Sequence, residues 1–211
     1  MQQLLNRIYL ASTGYPVARI QAEHNCATAR NGTDCQASCL PSVLELSRNS
    51  RVMLRRNLRT ETGLVNGALG YVTDIFYEEG RRPPALPKVI IFVVKFDNYF
   101  GTTYADESFS ILPVETRWTD VGIECTRRQF PLNLAYAITI HKSQGLTLDR
   151  AVIDIGNSEI SAGLSYVAFS RVRSLEDLAI PNAFPRDRLD NIQERSLVRE
   201  RIAYMENNRL F

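Results

Sequence analysis

The stretch that most constrains the fold covers residues 135–149 and has the sequence AYAITIHKSQGLTLD. An apolar run, residues 135–140, ends abruptly in a polar pentapeptide, and a second apolar run, residues 151–155, follows shortly after. Short apolar runs bounded by turn signals predict buried strands. Two such strands in close succession indicate an α/β sheet with the polar insert at a strand's carboxyl end, the edge at which open α/β sheets bind ligands.

The polar insert carries groups that suit phosphate better than packing. Thr139, His141 and Ser143 offer hydrogen-bond donors. Lys142 adds a charge, and Gly145 lets a backbone approach closely. Such donors and cations are typical of contacts to nucleic-acid phosphates. A polar turn between two core strands is the alternative interpretation.

Composition places the chain among ordinary globular proteins. It has 211 residues, of which 45% are hydrophobic, and a formal net charge of only +2. Residues 1–60 hold eight Arg and no Lys against three acidic residues, a weak indication of an anionic partner for this segment. No apolar run is as long as a membrane span, and the N-terminus lacks the pattern of a signal peptide. We therefore expect an intracellular protein, nuclear or mitochondrial if the source is eukaryotic.

A histidine and three cysteines lie close together near the N-terminus. They are His24, Cys26, Cys35 and Cys39. Zinc uses these ligand types, but the spacing matches no familiar zinc finger. Unlinked thiols in a polar loop are the favoured interpretation, and zinc stays the alternative.

Several short strand patterns follow one another between residues 50 and 130. Asn66-Gly67 is a strong hairpin signal because both residues tolerate positive φ. The segments with strand patterns are residues 51–58, 71–77, 88–96 and 109–114. Short strands separated by turns predict a small all-β barrel at about residues 50–130, inserted into an α/β domain whose chain resumes at residue 131.

This segment also contains cations and aromatic rings. Arg51, Arg55 and Arg56 lie on one predicted strand, where a solvated face is the favoured interpretation. The aromatic residues are Phe76, Tyr77, Phe92, Phe96, Tyr99 and Phe100. Such rings can stack on bases, although strand spacing favours the core of the barrel for most of them.

An arginine follows a predicted helix in the last third of the chain. Residues 161–170 have a helical pattern, Arg171 comes directly after them, and residues 175–180 predict a last short strand. An arginine in this position is usually a surface cation. In a nucleotide-hydrolysing enzyme it can instead stabilise charge on the γ-phosphate as an arginine finger.

No phosphate-binding loop of the G-x-x-x-x-G-K-[ST] type occurs in the 211 residues. Residues 63–70 contain three glycines, but they include no lysine and lie in a predicted hairpin. Nothing in this sequence is therefore expected to cradle the β- and γ-phosphates of a nucleotide.

Three blocks, in order and widely spaced, resemble one protein family. They are RVMLRRNLRTETGLVNGALGYV, PLNLAYAITIHKSQGLTLDRAVIDIG and GLSYVAFSRVRSLEDL. Together they are similar to the C-terminal half of superfamily 1B DNA helicases, with the PIF-type helicases and the helicase portion of Helitron-like elements as the best match. RecD-like helicases are more distant relatives. The resemblance covers roughly residues 5–190.

The resemblance implies a RecA-like α/β domain, called 2A, from residues 1–49 and 131–185. It implies an SH3-like β-barrel, called 2B, at residues 50–130. Residues 186–211 would then form a C-terminal helical tail.

The resemblance also implies roles for the residues named above. TIHKSQG matches helicase motif V, so Thr139, His141, Lys142 and Ser143 would face single-stranded DNA. Gln144 and Gly145 would couple that contact to the nucleotide cleft. The SRV block matches motif VI, which makes Arg171 the expected arginine finger. In the barrel, Arg51 and Asn66 are the expected DNA contacts.

The family unwinds DNA with ATP, in the 5′→3′ direction. ATP and Mg²⁺ would be held mainly by a first RecA-like domain that this sequence lacks, so the chain alone is expected to be inactive. The expected partners are that domain, single-stranded DNA and duplex junctions. A non-catalytic nucleic-acid-binding module or a helicase remnant is the alternative.

Overall fold

The computed structural model describes residues 2–78, 88–101, 107–156, 163–184 and 203–204. The chain forms two compact units, Met1–Ala137 and Ile138–Phe211. The domain bounds expected from the sequence differ from these units and stay a prediction. They are an α/β domain from residues 1–49 and 131–185, an insert at 50–130 and a tail at 186–211. The helical tail expected at residues 186–211 lies outside the described residues, except for 203 and 204.

The first unit begins with helix α1, Gln2–Ser12, and is otherwise mostly β-structure. Its remaining elements in chain order are β1 Ala18–Gln21, β2 Glu23–His24, α2 Ala27–Asn31, β3 Val43–Leu46, β4 Arg51–Leu54, a 3₁₀ turn Thr60–Thr62, β5 Leu69–Tyr77, β6 Val89–Phe96, β7 Phe109–Ile111, β8 Val114–Asp120, β9 Ile123–Gln129 and β10 Leu132–Leu134.

These strands form three antiparallel sheets. The largest has five strands in the order β10-β4-β5-β6-β7, a smaller one has the order β2-β9-β8, and β1 pairs with β3. The four strands predicted between residues 51 and 114 are therefore present, but β4 and β7 are shorter than predicted and end at Leu54 and Ile111. The SH3-like barrel that they were expected to form remains a prediction.

The core of the first unit lies against the five-stranded sheet. In β5, buried and more exposed positions alternate until a β-bulge shifts the register, whereas residues 92–94 of β6 are buried in succession. Phe92 is fully buried and meets Phe130 edge to face, with the ring centroids 4.8 Å apart. Phe96 is also buried, so these two of the six aromatic rings belong to the core, the location that strand spacing favoured, while Phe76 and Phe100 are exposed.

The Asn66-Gly67 turn is present but does not join two strands directly. The amide of Ala68 donates to the carbonyl of Val65 at 3.0 Å, which closes a β-turn. Of the two central residues, Gly67 alone has a positive φ, 100°. The turn lies at the end of a longer connection between β4 and β5. The positive φ expected for both residues of the dipeptide is therefore found at the glycine alone.

Residues 135–140 do not form the strand that their apolar sequence predicts. β10 ends at Leu134, and the next helix begins at Ile140. The amide of Ala137 donates to Asn6 Oδ1 at 2.8 Å, and its carbonyl accepts from Asn6 Nδ2 at 3.0 Å. Side chains of α1 thus satisfy backbone groups that a neighbouring strand would otherwise pair.

The second unit combines short helices with parallel strands. Its elements are α3 Ile140–Ser143, β11 Ala151–Val152, α4 Leu164–Phe169, a 3₁₀ turn Leu175–Asp177 and β12 Leu178–Ala179. β11 pairs with β12 in parallel, and Ile153 and Ile155 are buried beyond the end of β11. The predicted strand at 151–155 is therefore shorter than its apolar run, and the mixed α/β fold is confirmed. No helix in the described ranges is both long and apolar enough to cross a bilayer.

Candidate functional site

Residues 139–145 form one helical turn followed by a tight bend. The carbonyl of Thr139 accepts hydrogen bonds from the amides of Lys142, at 2.9 Å, and Ser143, at 3.2 Å, which makes Thr139 the N-cap of α3. Gly145 closes the bend with a φ of 82°, a conformation that favours glycine. No heavy atom lies within 4 Å of a Cβ built on Gly145, so this glycine is required by the bend and not by a close contact.

The exposed side of this segment carries most of the predicted phosphate-binding groups. Thr139, His141, Lys142 and Gln144 are exposed. Ser143 is buried, and its hydroxyl donates to the carbonyl of Ile140 at 2.7 Å. The Ser143 hydroxyl therefore serves the helix, whereas its neighbours face solvent.

Arg171 follows α4 and turns its guanidinium onto the segment just described. Nη1 donates to the carbonyl of Leu146 at 3.0 Å and, at 3.4 Å, to that of Ser143. Nε donates to the carbonyl of Val167 at 2.7 Å, and Nη2 donates to Ser170 Oγ at 2.8 Å. The SRV block and the HKSQG block are thus joined by a side chain.

The backbones of the two blocks are joined as well. The amide of Leu148 donates to the carbonyl of Arg171 at 2.8 Å, and Leu148 pairs with Val172 in a parallel bridge. A cavity of about 110 Å³ lies in the same unit, with Ser143, Leu148 and Arg171 among its lining residues. Residues 28 positions apart in sequence therefore share one small site.

This geometry limits what the arginine can do as it stands. Four acceptors in its own unit engage the guanidinium, which has five N–H groups. To reach the phosphate of a nucleotide, Arg171 would have to exchange some of these bonds for phosphate contacts. The acceptors are three main-chain carbonyls and the Ser170 hydroxyl, which the sequence did not single out. A polar residue beside an arginine is too common a pattern to reveal such a contact.

The other two predicted DNA contacts, Arg51 and Asn66, lie in the first unit and are distant in sequence from residues 139–145 and 171. Arg51 forms a bidentate ion pair with Asp97, one of whose bonds measures 2.8 Å, and its guanidinium lies 4.4 Å from the ring centroid of Tyr71. Asn66 is exposed, and its backbone amide donates to Asn57 Oδ1 at 2.7 Å. Asn66 is thus open to a partner, while Arg51 is held by neighbours in its own sheet.

The histidine and cysteines near the N-terminus are drawn into other contacts. His24 Nε2 accepts a hydrogen bond from Arg127 Nε at 3.1 Å, and burial, followed by the charge of Arg127, lowers the pKa of His24. Cys26 Sγ lies 4.0 Å from Cys125 Sγ, whereas Cys35 is exposed. Among the residues that the structure describes, no group of three or more His, Cys, Asp or Glu side chains is arranged to hold a metal ion.

Arg127 is a fully buried cation that the sequence interpretation missed. Its Nη1 donates to Asp34 Oδ1 at 2.8 Å and to the Leu40 carbonyl at 2.9 Å, and Nη2 donates to the Gly32 carbonyl at 2.6 Å. The signal was available in the alternation of β9, since Arg127 shares the inward phase with Cys125 and Gln129. It fixes the loop between α2 and β3.

Known proteins resemble much of the chain. The Herpes_Helicase family model, described as Helicase, matches residues 119–204. Human ATP-dependent DNA helicase PIF1 is 40% identical over 151 residues, which is 68% of this chain and 20% of that protein. The chain spans about a fifth of the length of the curated relatives that it matches.

Solved Pif1 structures have a similar fold. The crystal structure of Pif1 helicase from Candida albicans is 25% identical and covers 92% of this chain and 47% of that one, with a TM-score of 0.66. A Pif1 structure that concerns unwinding at forked double-stranded DNA is 26% identical over 91% of this chain and 41% of that one, with a TM-score of 0.61. The resemblance seen in the sequence is thereby confirmed, and this chain is a homologue of one segment of the PIF-type DNA helicases.

Proposed function

We propose that this chain is part of an ATP-dependent DNA helicase, in which it holds single-stranded DNA and responds to ATP. The observation that carries the proposal is the contact of Arg171 with the carbonyls of Ser143 and Leu146. A group suited to nucleotide phosphate is thereby bonded to a segment suited to DNA phosphate. The similarity to helicases named ATP-dependent supports the same conclusion.

The exposed side of α3 is the proposed DNA contact. Thr139, His141 and Lys142 would bind successive backbone phosphates through a hydroxyl, an imidazole and an ammonium group. The hydroxyl of Ser143 would contribute only if it left the Ile140 carbonyl. Gln144 would move with Gly145 when the bend changes its conformation. The DNA strand would then be released and bound again in each cycle of ATP hydrolysis, so that the protein moves along it in the 5′→3′ direction.

Arg171 is the proposed arginine finger. Its guanidinium would stabilise the charge that develops on the γ-phosphate during hydrolysis. To reach the γ-phosphate, the guanidinium would leave the Leu146 carbonyl, and the bend at Gly145 would lose this hydrogen bond. Nucleotide binding would thereby change the conformation of the DNA contact. This is the step at which the two blocks would be coupled.

ATP and Mg²⁺ would be held mainly by another RecA-like domain that carries a phosphate-binding loop. In the described part of the chain we assign no ligand to Mg²⁺, because no suitable group of acidic side chains is found there. The first unit would supply the SH3-like barrel, with Asn66 and Arg51 directed to a duplex junction. For Arg51 this requires that it give up part of its ion pair with Asp97.

Fluorescence anisotropy with labelled single-stranded DNA tests the DNA contact. The chain should bind at low salt, and Lys142→Ala should weaken binding and make the log–log salt dependence shallower by about 0.7, the value for one lost phosphate contact on a single strand. Arg117→Ala is the matched control, since Arg117 is an exposed cation of the first unit paired with Glu115. Absence of binding at low salt, or equal effects of the two substitutions, would contradict the proposal.

A non-catalytic nucleic-acid-binding module is the second candidate. It is favoured by the same contacts of Arg171, since a guanidinium that already has four acceptors also suits a purely structural role, in which it holds two segments together. In that case the substitution of Arg171 would change stability and DNA binding and would have no separate effect on hydrolysis.

A further inference from the structure

Two cysteines far apart in sequence meet beside the three-stranded sheet. β2 pairs with β9 so that Glu23 faces Arg128 and His24 faces Arg127. The pairing continues through Asn25, whose Oδ1 accepts from the amide of Thr126 at 2.8 Å. One further step along both segments brings Cys26 opposite Cys125, and their Sγ atoms lie 4.0 Å apart.

This placement suits a disulfide. Residues that face each other across antiparallel strands have Cα atoms about 4.5–5.5 Å apart, inside the range of about 4.4–6.8 Å that disulfides need. The two sulfur atoms are already in contact, so small side-chain rotations would bring them to bonding distance. Two thiols alone do not make a structural zinc site, which takes four ligands, and His24 Nε2 is engaged by Arg127.

We propose that Cys26 and Cys125 form a reversible disulfide in the presence of a small disulfide such as oxidised glutathione. The Cys26 thiolate attacks one glutathione sulfur, which gives a mixed disulfide and one glutathione thiolate. The Cys125 thiolate then attacks Cys26 Sγ and displaces the second glutathione thiolate. The protons of the two protein thiols end on the two glutathione thiols, so the protein loses two electrons and the glutathione disulfide gains them.

The order of the two attacks follows from accessibility. Cys26 is partly exposed, whereas Cys125 is fully buried, so only Cys26 can meet an oxidant first. Burial, with Cys26 as a further cause, raises the pKa of the Cys125 thiol. The second attack should therefore accelerate as the pH rises, since the thiolate is the nucleophile.

The bond would hold the segment after β2 onto β9. Cys26 is the N-cap of α2, and its Sγ accepts from the amide of Ala29 at 3.4 Å. The oxidised form would close a loop from residue 26 to residue 125, which spans the strands of the five-stranded sheet from β4 to β7. Oxidation would thus restrict the unfolded chain over nearly half of its length.

Peptide mapping tests the proposal, because trypsin places the cysteines in three different peptides. Cys26 falls in residues 20–30, Cys125 in residues 118–127, and both Cys35 and Cys39 in residues 31–48. The full chain is incubated with oxidised glutathione, blocked with iodoacetamide and digested without reduction. The expected product is a linked pair of peptides 20–30 and 118–127 that dithiothreitol separates.

Variants of the other cysteines provide the control. The double variant Cys35→Ser/Cys39→Ser should give the same linked pair, and Cys26→Ser should not. The proposal is overturned if the wild-type chain gives only separately glutathionylated peptides, only a bridge within residues 31–48, or a link that the double variant loses.

Discussion

Arg171 Nη1 donates a hydrogen bond to the carbonyl oxygen of Leu146 at 3.0 Å. The acceptor is a main-chain atom directly after the Gly145 bend, so the arginine fixes backbone and not another side chain. Any ligand that withdraws the guanidinium removes this bond, and any ligand that moves the bend disturbs it. The contact therefore links two proposed binding segments in both directions.

The first prediction concerns Arg171 in a helicase that also contains a domain with a phosphate-binding loop. Arg171→Ala should lower kcat for ATP hydrolysis by about 10³-fold or more, the range found when arginine fingers are removed. Affinity for single-stranded DNA should fall less than hydrolysis does, because the side chains of Thr139, His141 and Lys142 remain although the bend loses its hydrogen bond at Leu146. Steady-state hydrolysis and anisotropy on the same preparation measure the two effects.

Arg173→Ala is the matched control for this prediction, since Arg173 is an exposed arginine two positions further along. It should leave both hydrolysis and DNA binding close to the wild-type values. Arg171→Lys keeps the charge but loses the planar fork of donors, so it should resemble Arg171→Ala in hydrolysis. Parallel loss of DNA binding and hydrolysis in Arg171→Ala would instead assign the residue a structural role.

The second prediction compares two neighbouring arginines of β9. Arg127 is fully buried and donates to Asp34, Gly32 and Leu40, whereas Arg128 is half exposed and paired with Glu23 at 3.1 Å. Arg127→Ala removes the donor of the buried Leu40 carbonyl and that of the partly buried Gly32 carbonyl, and it should reduce the free energy of unfolding by about 3 kcal/mol or more. Arg128→Ala should cost less than about 1 kcal/mol, as expected for an exposed ion pair.

Urea denaturation monitored at Trp118 measures both substitutions, because the Arg127 guanidinium lies 5.9 Å from the Trp118 ring centroid. Arg127→Lys should lose most of the same stability, since an ammonium group cannot reach three acceptors in different directions. Equal costs for Arg127→Ala and Arg128→Ala would show that the buried network contributes nothing beyond a surface pair.

The strands of the first unit could be predicted because their side chains obey a local rule. In β5 the buried positions alternate with more exposed ones on the near side of a β-bulge, and in β6 the apolar residues fill a buried run at residues 92–94. The apolar segment 135–140 does not form a strand, and the reason is a contact with a distant part of the sequence. Asn6 of α1, more than 120 residues earlier, takes the backbone bonds of Ala137, and nothing within the apolar run announces this.

The candidate site was predictable in part for a similar reason. Exposed polar residues such as His141 and Lys142 stand out in a sequence, and so does an arginine after an apolar helix. The acceptors of Arg171 do not stand out, because every residue has a carbonyl and only the fold selects those of Leu146 and Val167. Arg127 could have been found from the phase of β9, where it shares the inward positions with Cys125 and Gln129.

The third prediction concerns two glycines in the connection between β4 and β5. Gly63 has a φ of 88°, and a Cβ built on it would lie 2.3 Å from the carbonyl oxygen of Asn98. Gly67 has a φ of 100°, but its added Cβ would meet no heavy atom within 4 Å. Gly63→Ala should therefore combine backbone strain with a clash against main chain, while Gly67→Ala carries the strain alone.

The expected costs differ accordingly. Gly67→Ala should lower the free energy of unfolding by about 1–2 kcal/mol, the usual cost of a left-handed conformation for a residue with a Cβ. Gly63→Ala should cost at least about 2 kcal/mol more, because the Asn98 carbonyl is main chain and cannot rotate away. Chemical denaturation of both variants measures the difference, and similar midpoints would show that the 60–68 segment shifts freely to admit the methyl group.

The fourth prediction is a loss of stability as the pH falls below the ordinary pKa of histidine. Burial, and next the charges of Arg127 and Arg30, lower the pKa of His24 from its usual value of 6.5. In the folded chain, His24 Nε2 must also stay unprotonated to accept from Arg127 Nε. The unfolded chain therefore binds a proton at a higher pH than the folded chain does. Its protonation favours unfolding from about pH 6.5 downward, until the folded pKa is passed and the effect levels off.

Urea midpoints measured between about pH 7.5 and about pH 5.5 should fall as the pH is lowered through this window. Glu23 does not contribute there, because its hydrogen bond with Lys88 and its contact with Arg128 lower its pKa below 4.5. His24→Gln provides the control, since an amide oxygen can accept from Arg127 but does not titrate. That variant should keep a flatter profile over the same range. A profile as steep as that of the wild-type chain would place the pH dependence elsewhere in the protein and leave the His24–Arg127 hydrogen bond without a role in it.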